Sequence, residues 1–180
     1  MKATQVRPTG RERVLGDDDV IVTKTDPRGV ITYANPTFLR ISALDEADTV
    51  GQPHNLIRHP DMPRAIFKLL WDTLKERKEV FAYVVNLAHD GAHYWVLAHI
   101  TPSFDPQGRP VGYHSFRRRA DPAAVAEIRK LYAALRAEEQ RHTSSPAALE
   151  ASWALLQRTL AEKGRTYDEF VWDLTNRSAS

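Results

Sequence analysis

The run Arg58-His59-Pro60-Asp61-Met62-Pro63 packs three chemically able side chains between and around two prolines. A guanidinium can fork onto phosphate or carboxylate, an imidazole can donate or accept near neutral pH, and a carboxylate can cap a helix. Pro60 pushes His59 out of the helical region, and Pro63 suits the first turn of a helix. Asp61 then stands where it can take the orphan N–H groups of that helix. Downstream, Ile66, Phe67, Leu70, Trp71 and Leu74 recur at three- and four-residue spacing, which predicts an amphipathic helix. The expectation is a stiff elbow at a helix N-terminus, able to hold a polar or anionic ligand because free N–H groups and the positive dipole end point outward. Taken alone, the same run is as readily a helix start with its polar groups satisfied inside the protein.

Seven histidines raise a second chemistry. His93 and His99 share one strand face but lie six residues apart, roughly 20 Å at strand rise, so they cannot share one ion. His54 and His59 flank the middle of the chain. One imidazole suffices to ligate haem iron, so haem b stays as an alternative cofactor. Cysteine is absent, which excludes disulfides, thiolate nucleophiles, cysteine-held zinc and iron–sulfur clusters.

Composition bounds the rest. A chain of 180 residues suggests one ordinary domain with an appendage. A net charge of +2 gives no case for nucleic acid, and no window reaches the length of apolar residues needed for a membrane span. The N-terminal stretch lacks the apolar core of a secretion signal, so a soluble cytoplasmic protein without membrane insertion is expected. No G-x-S-x-G, H-E-x-x-H, P-loop or glycine-rich dinucleotide turn is present, and the eight glycines are scattered at turns. An enzyme is not expected.

The elements that must position these residues can be read in order. Residues 1–16 read as a mobile basic arm, with a short helix near Glu12–Leu15 as an option. Residues 19–24 and 30–34 alternate as strands around the turn Asp26-Pro27-Arg28-Gly29. Residues 37–43 and parts of 45–57 read as short helices, with Gly51 a break. Residues 80–87, 92–102 and 109–118 read as three strands joined by turns at His89-Asp90-Gly91 and Asp105-Pro106-Gln107-Gly108. Asp121-Pro122 starts a helix, and further helices run from Pro146 to Lys163 and from the capping box Thr166-Tyr-Asp-Glu169. The order β-β-α-α-α-β-β-β gives an α+β fold: a five-stranded antiparallel sheet with helices on one face, plus C-terminal helices. The expected division is an arm at 1–16, a sensor domain at 17–120 and a helical extension at 121–180. Strand alternation places Trp95 and Leu97 on the outer sheet face, where the helix after Asp121 or a second subunit must cover them.

This order resembles a PAS domain. The run from Gly51 to Pro63, together with Ile31-Thr-Tyr-Ala-Asn35 and His93-Tyr94-Trp95-Val96, resembles the FAD-binding PAS domain of bacterial aerotaxis receptors over roughly residues 18–120. The resemblance implies FAD held between sheet and helical middle, its redox state read out as a conformational signal. It assigns Arg58, His59 and Asp61 to the FAD-binding motif, Asn35 and Phe67 to the pocket, and Asn86 to a strand asparagine that meets the flavin ring edge. The chain departs from that family with Val80 in place of a tryptophan and Val85 in place of a lysine.

The residue types agree in kind. A flavin needs a flat apolar slot, amide groups for its ring edge and cations for its pyrophosphate. Phe67 and Trp71, one helical turn apart, can wall the slot; Asn86 offers donor and acceptor, and Arg58 a fork for phosphate. Neither the membrane part nor the methyl-accepting part of such receptors is expected here. The signal would pass to a downstream receptor or kinase, or through a homodimer. A redox or oxygen sensor is therefore expected, with a cofactor-free PAS scaffold as the other reading.

Overall fold

The computed structural model describes residues 6–178. Five strands form one antiparallel sheet: β1 (Val20–Thr25), β2 (Ile31–Ala34), β3 (Val80–Leu87), β4 (His93–Phe104) and β5 (Pro110–Arg119), in spatial order β2-β1-β5-β4-β3. Helices α1 (Pro36–Ser42), α2 (Glu46–Thr49) and α3 (Arg64–Lys75), with a 3-10 turn at His54–Ile57, connect β2 to β3 across the inner sheet face. The C-terminal helices are α4 (Pro122–Gln140), α5 (Ser145–Glu162) and α6 (Tyr167–Ser178). Among the described residues no helix is long and apolar enough to cross a membrane.

Local chemistry explains most boundaries. Asn35 caps α1, accepting from the Phe38 N–H at 3.0 Å, and Pro36 takes the first helical position. Asp121 accepts from Ala123 N and Ala124 N to start α4. Thr166 and Glu169 exchange both bonds of a capping box ahead of α6. The alternation in β3 and β4 sends Val84, Asn86, Val96 and Ala98 inward and Tyr83, Val85, Trp95 and Leu97 outward, all buried.

Outward apolar residues require a cover, and the chain supplies it. The rings of Tyr132 in α4 and Trp95 lie 6.1 Å apart, and the Tyr132 hydroxyl donates to Tyr83 O at 2.6 Å. In α6, Trp172 packs 4.8 Å from Phe81, and Thr175 meets the Tyr83 hydroxyl at 2.9 Å. Helix α5 lies instead against α3, with Lys68 over the Trp153 ring at 4.7 Å. The extension thus wraps the β3 edge of the sheet and removes an exposed template for strand pairing. Val85, where the resemblance expects lysine, is 3% exposed on this covered face, so an apolar side chain is the one that fits.

The N-terminal arm is docked rather than mobile. Thr9 N donates to Gly91 O at 2.9 Å, His93 N to Arg11 O at 2.9 Å and Arg13 N to His93 O at 2.7 Å. Arg11 and Arg13 converge on Asp90, and Leu15 is buried in the core. The segment near Glu12–Leu15 is not helical, and its Arg13 N–H is spent on His93 at the start of β4. Gly91 has φ +85°, and a Cβ there would stand 2.5 Å from Arg7 O, so only glycine admits the arm. Residues 1–5 of the expected arm lie outside the described residues.

Candidate functional site

A cleft of about 330 Å³ opens between the inner sheet face, the 3-10 turn and α3. That volume lies at the small end of ligand pockets. The sheet contributes Thr23, Val84, Asn86, Ala98, Ser115 and Arg117 among others, and α3 contributes Phe67, Leu70, Trp71 and Leu74. Arg58 and Arg28 line it from loops, and among the described residues no carboxylate lines it. Trp71 is held by an edge contact with Tyr113 at 5.4 Å and rests over Gly29. Arg58 lies 4.3 Å over the Phe67 ring. A backbone bridge between Arg58 and Asn86 ties the elbow to the end of β3.

The polar floor is built on Arg117, only 3% exposed. Its Nη2 donates to Thr23 Oγ1 at 2.5 Å and His54 Nε2 at 2.6 Å, and its Nε donates to Ser115 Oγ at 2.9 Å. His54 Nε2 must therefore be the unprotonated acceptor. Burial, then the Arg117 charge, pushes the His54 pKa down to about 3. Burial also lowers Arg117 itself to about 10, which leaves it a cation at neutral pH. Among the described residues, two buried side-chain nitrogens of cleft residues, Asn86 Nδ2 and Arg117 Nη1, have no partner in hydrogen-bonding geometry. Asn86 faces the Tyr94 hydroxyl and, with Ser42, whose Oγ that hydroxyl bonds at 2.7 Å, opposes the upward push of burial on the Tyr94 pKa. An unanswered buried donor costs about 1–3 kcal/mol, so such atoms in a cleft ask for a ligand.

Of the residues singled out in the sequence, Arg58, Phe67, Trp71 and Asn86 come together in the cleft. Asn35, His59 and Asp61 do not line it. Asn35 locks β1 to α1: its Oδ1 accepts from Val22 N and Phe38 N, and its Nδ2 donates to Val20 O. His59 is buried on the far side of the elbow, its ring 5.8 Å from that of His93, where burial lowers its pKa despite the neighbouring Asp61. Its Nδ1 accepts from the Asp61 N–H at 3.1 Å. Asp61 is exposed and caps nothing; Pro63 occupies the N-cap position of α3, and the Arg64 N–H goes to Glu139 of α4. The N-cap falls on Pro63, two residues after Asp61, which leaves the Asp61 carboxylate outside the helix start. For the haem alternative, His54 lines the cleft with its Nε2 engaged by Arg117 and Thr23, and His59 does not line it.

Residues 31–117 match the family described as PAS fold. The chain carries a PAS domain. It is 40% identical over 129 residues to the aerotaxis receptor of Escherichia coli (strain K12), covering 72% of this chain and 25% of that receptor. It is 36% identical over 126 residues to the nitrogen fixation regulatory protein of Klebsiella pneumoniae, covering 70% of this chain and 26% of that protein. Among solved structures, a light-oxygen-voltage domain studied with a flavin analogue superposes with a TM-score of 0.53 at 18% identity, covering 68% of this chain and 87% of that one. This last likeness shows the fold. The chain thus spans about a quarter of the length of these two curated relatives. Within that PAS domain, the 3-10 turn, elbow and α3 form one wall of the cleft and the sheet forms the other.

Proposed function

We propose that this PAS domain is a cytoplasmic redox or oxygen sensor that binds FAD in the cleft and relays its redox state to the C-terminal helices. The observation that carries the reading is the pair of unanswered nitrogens, Asn86 Nδ2 and Arg117 Nη1, in an otherwise mainly apolar cleft. A flavin ring edge presents carbonyl and ring-nitrogen acceptors that answer such donors. Phe67, Leu70 and Trp71 would wall the ring, and Arg58 and Arg28 would meet the pyrophosphate. The curated relatives named for aerotaxis and nitrogen-fixation regulation support a sensor rather than an enzyme.

Bound there, FAD would supply reversible oxidation and reduction with a change of protonation on its ring. The protein's part is to feel that change. Asn86 lies in β3, whose outer face carries Tyr83 under α4 and α6. A change in what Asn86 can bond shifts the strand that those helices grip. Coupling exists only insofar as the two packings differ in free energy between redox states. A second copy or a downstream receptor or kinase would take the signal.

The visible spectrum of freshly purified protein, with any chromophore released by heat and identified, tests this reading. FAD is the expected chromophore. A sharp Soret band overturns it in favour of haem, and a protein that stays colourless after incubation with FAD overturns it in favour of a cofactor-free scaffold.

A further inference from the structure

The N-terminus of α3 is answered from within. Glu139 of α4, 3% exposed, accepts from the Arg64 N–H at 2.6 Å and from Ser152 Oγ of α5 at 2.9 Å through Oε1, and pairs through Oε2 with Arg136 Nη1 at 2.7 Å. One carboxylate therefore joins α3, α4 and α5. Ser152 is fully buried, so its hydroxyl has no water to fall back on. Hydrogen bonds to a charged group are worth about 1.5–3 kcal/mol each, and a negative charge is favoured at a helix N-terminus.

The other side of α3 is a wall of the cleft. Phe67 and Trp71 line it from the helix, and Arg58 lines it from the elbow. Arg58 also feels the Glu139 charge, which opposes the lowering of its pKa by burial and by Arg64. The buried carboxylate thus pairs with the Arg136 guanidinium, takes the Arg64 backbone N–H and acts on the Arg58 guanidinium through its charge. A negatively charged ligand that engages Arg58 takes part of this cationic field away from Glu139. Linkage makes the effect mutual: what loosens Glu139 must strengthen the ligand.

We propose that Glu139 is a latch between the C-terminal helices and the cleft, holding α4 and α5 on α3, and that an anionic ligand engaging Arg58 weakens that hold. The latch stands on the geometry of the three helices. Its coupling to a ligand rests on the reading of the cleft as the FAD site. Glu139 is a positioning residue in this scheme, since it does not line the cleft.

Hydrogen exchange on the full chain, followed by mass spectrometry, separates the two parts. Without flavin, Glu139→Gln is expected to speed exchange in α5 and the first turn of α3 by about tenfold while leaving β3–β5 protected. Ser152→Ala, which keeps the charge and removes only the α5 bond, is expected to act on α5 in the same direction and more weakly. If Glu139→Gln unfolds the sheet as well, Ser152→Ala decides. Exchange in α5 within about twofold of the parent in the folded variants overturns the latch. FAD is then added to the parent chain and to Glu139→Gln. Faster α5 exchange in the parent, no further gain in the variant, and tighter FAD binding by the variant are expected. FAD that binds without changing α5 overturns the coupling and leaves the FAD reading standing. FAD that does not bind overturns the FAD reading and the coupling with it, while the flavin-free comparison still decides the latch.

Discussion

Asn86 and Arg117 are side chains whose hydrogen-bonding capacity exceeds what the fold uses. That excess gives a test at residue scale. Replacing Asn86 by leucine removes a buried unanswered donor at similar volume, so the unliganded protein should gain about 1–3 kcal/mol of unfolding free energy in urea. A loss of several kcal/mol would mean that Asn86 is a structural residue after all. His54 gives a second test through pH. Its folded pKa of about 3 lies below its ordinary value, so the unfolded chain takes up the proton first as pH falls. Stability from this group is complete above about pH 6.5 and declines as pH drops below that value, by at most about 1.4 kcal/mol per unit. His59, lowered by burial, adds in the same direction. Urea midpoints at pH 7 and 5 should show this slope, and His54→Gln should flatten part of it. An unchanged slope in the variant would place the titration elsewhere. At this scale the sequence was partly legible. Spacing and resemblance brought Arg58, Phe67, Trp71 and Asn86 to one place. Arg117 was hidden in the basic run Arg117-Arg118-Arg119, which looks like a solvated strand end. The signal that would have found it is period two: Arg117 shares a face with Ser115 and Tyr113, both cleft residues.

At the scale of elements, the strands and helices followed from alternation, caps and turns, because those signals are local. The docking of elements on one another was less legible, since it depends on partners distant in sequence. The arm is the clearest case. Its basic residues look solvated until Asp90 and Gly91, far along the chain, are placed beside it. Asp61 is the converse: a good local cap that lost its helix to Glu139, a buried competitor from α4. The outer pair Trp95 and Leu97 was legible as needing a cover, and α4 is the cover. Trp95→Ala should therefore cost about 3 kcal/mol in stability and speed amide exchange in α4, while leaving FAD affinity within about twofold, because its ring lies on the face opposite the cleft. Unchanged exchange in α4 would show that the helix is held without Trp95. A loss of FAD together with an intact α4 would show that the two faces are not separable.

At the scale of the molecule, the sheet stands between a cleft on its inner face and gripping helices on its outer face. The β3 edge is the shortest route between them, since Asn86 faces the cleft and Tyr83 meets α4 and α6. Helix α3 offers a parallel route through Glu139. Both routes presuppose that the cleft holds its ligand where Asn86 and Arg117 can answer it. The most direct measurement is a fluorescence titration of FAD with the parent protein and with Asn86→Leu. The account predicts saturable one-to-one binding by the parent and affinity lowered at least about tenfold in the variant, with both proteins folded by circular dichroism. Equal affinity in the two would contradict it, as would a parent protein that binds no FAD at all.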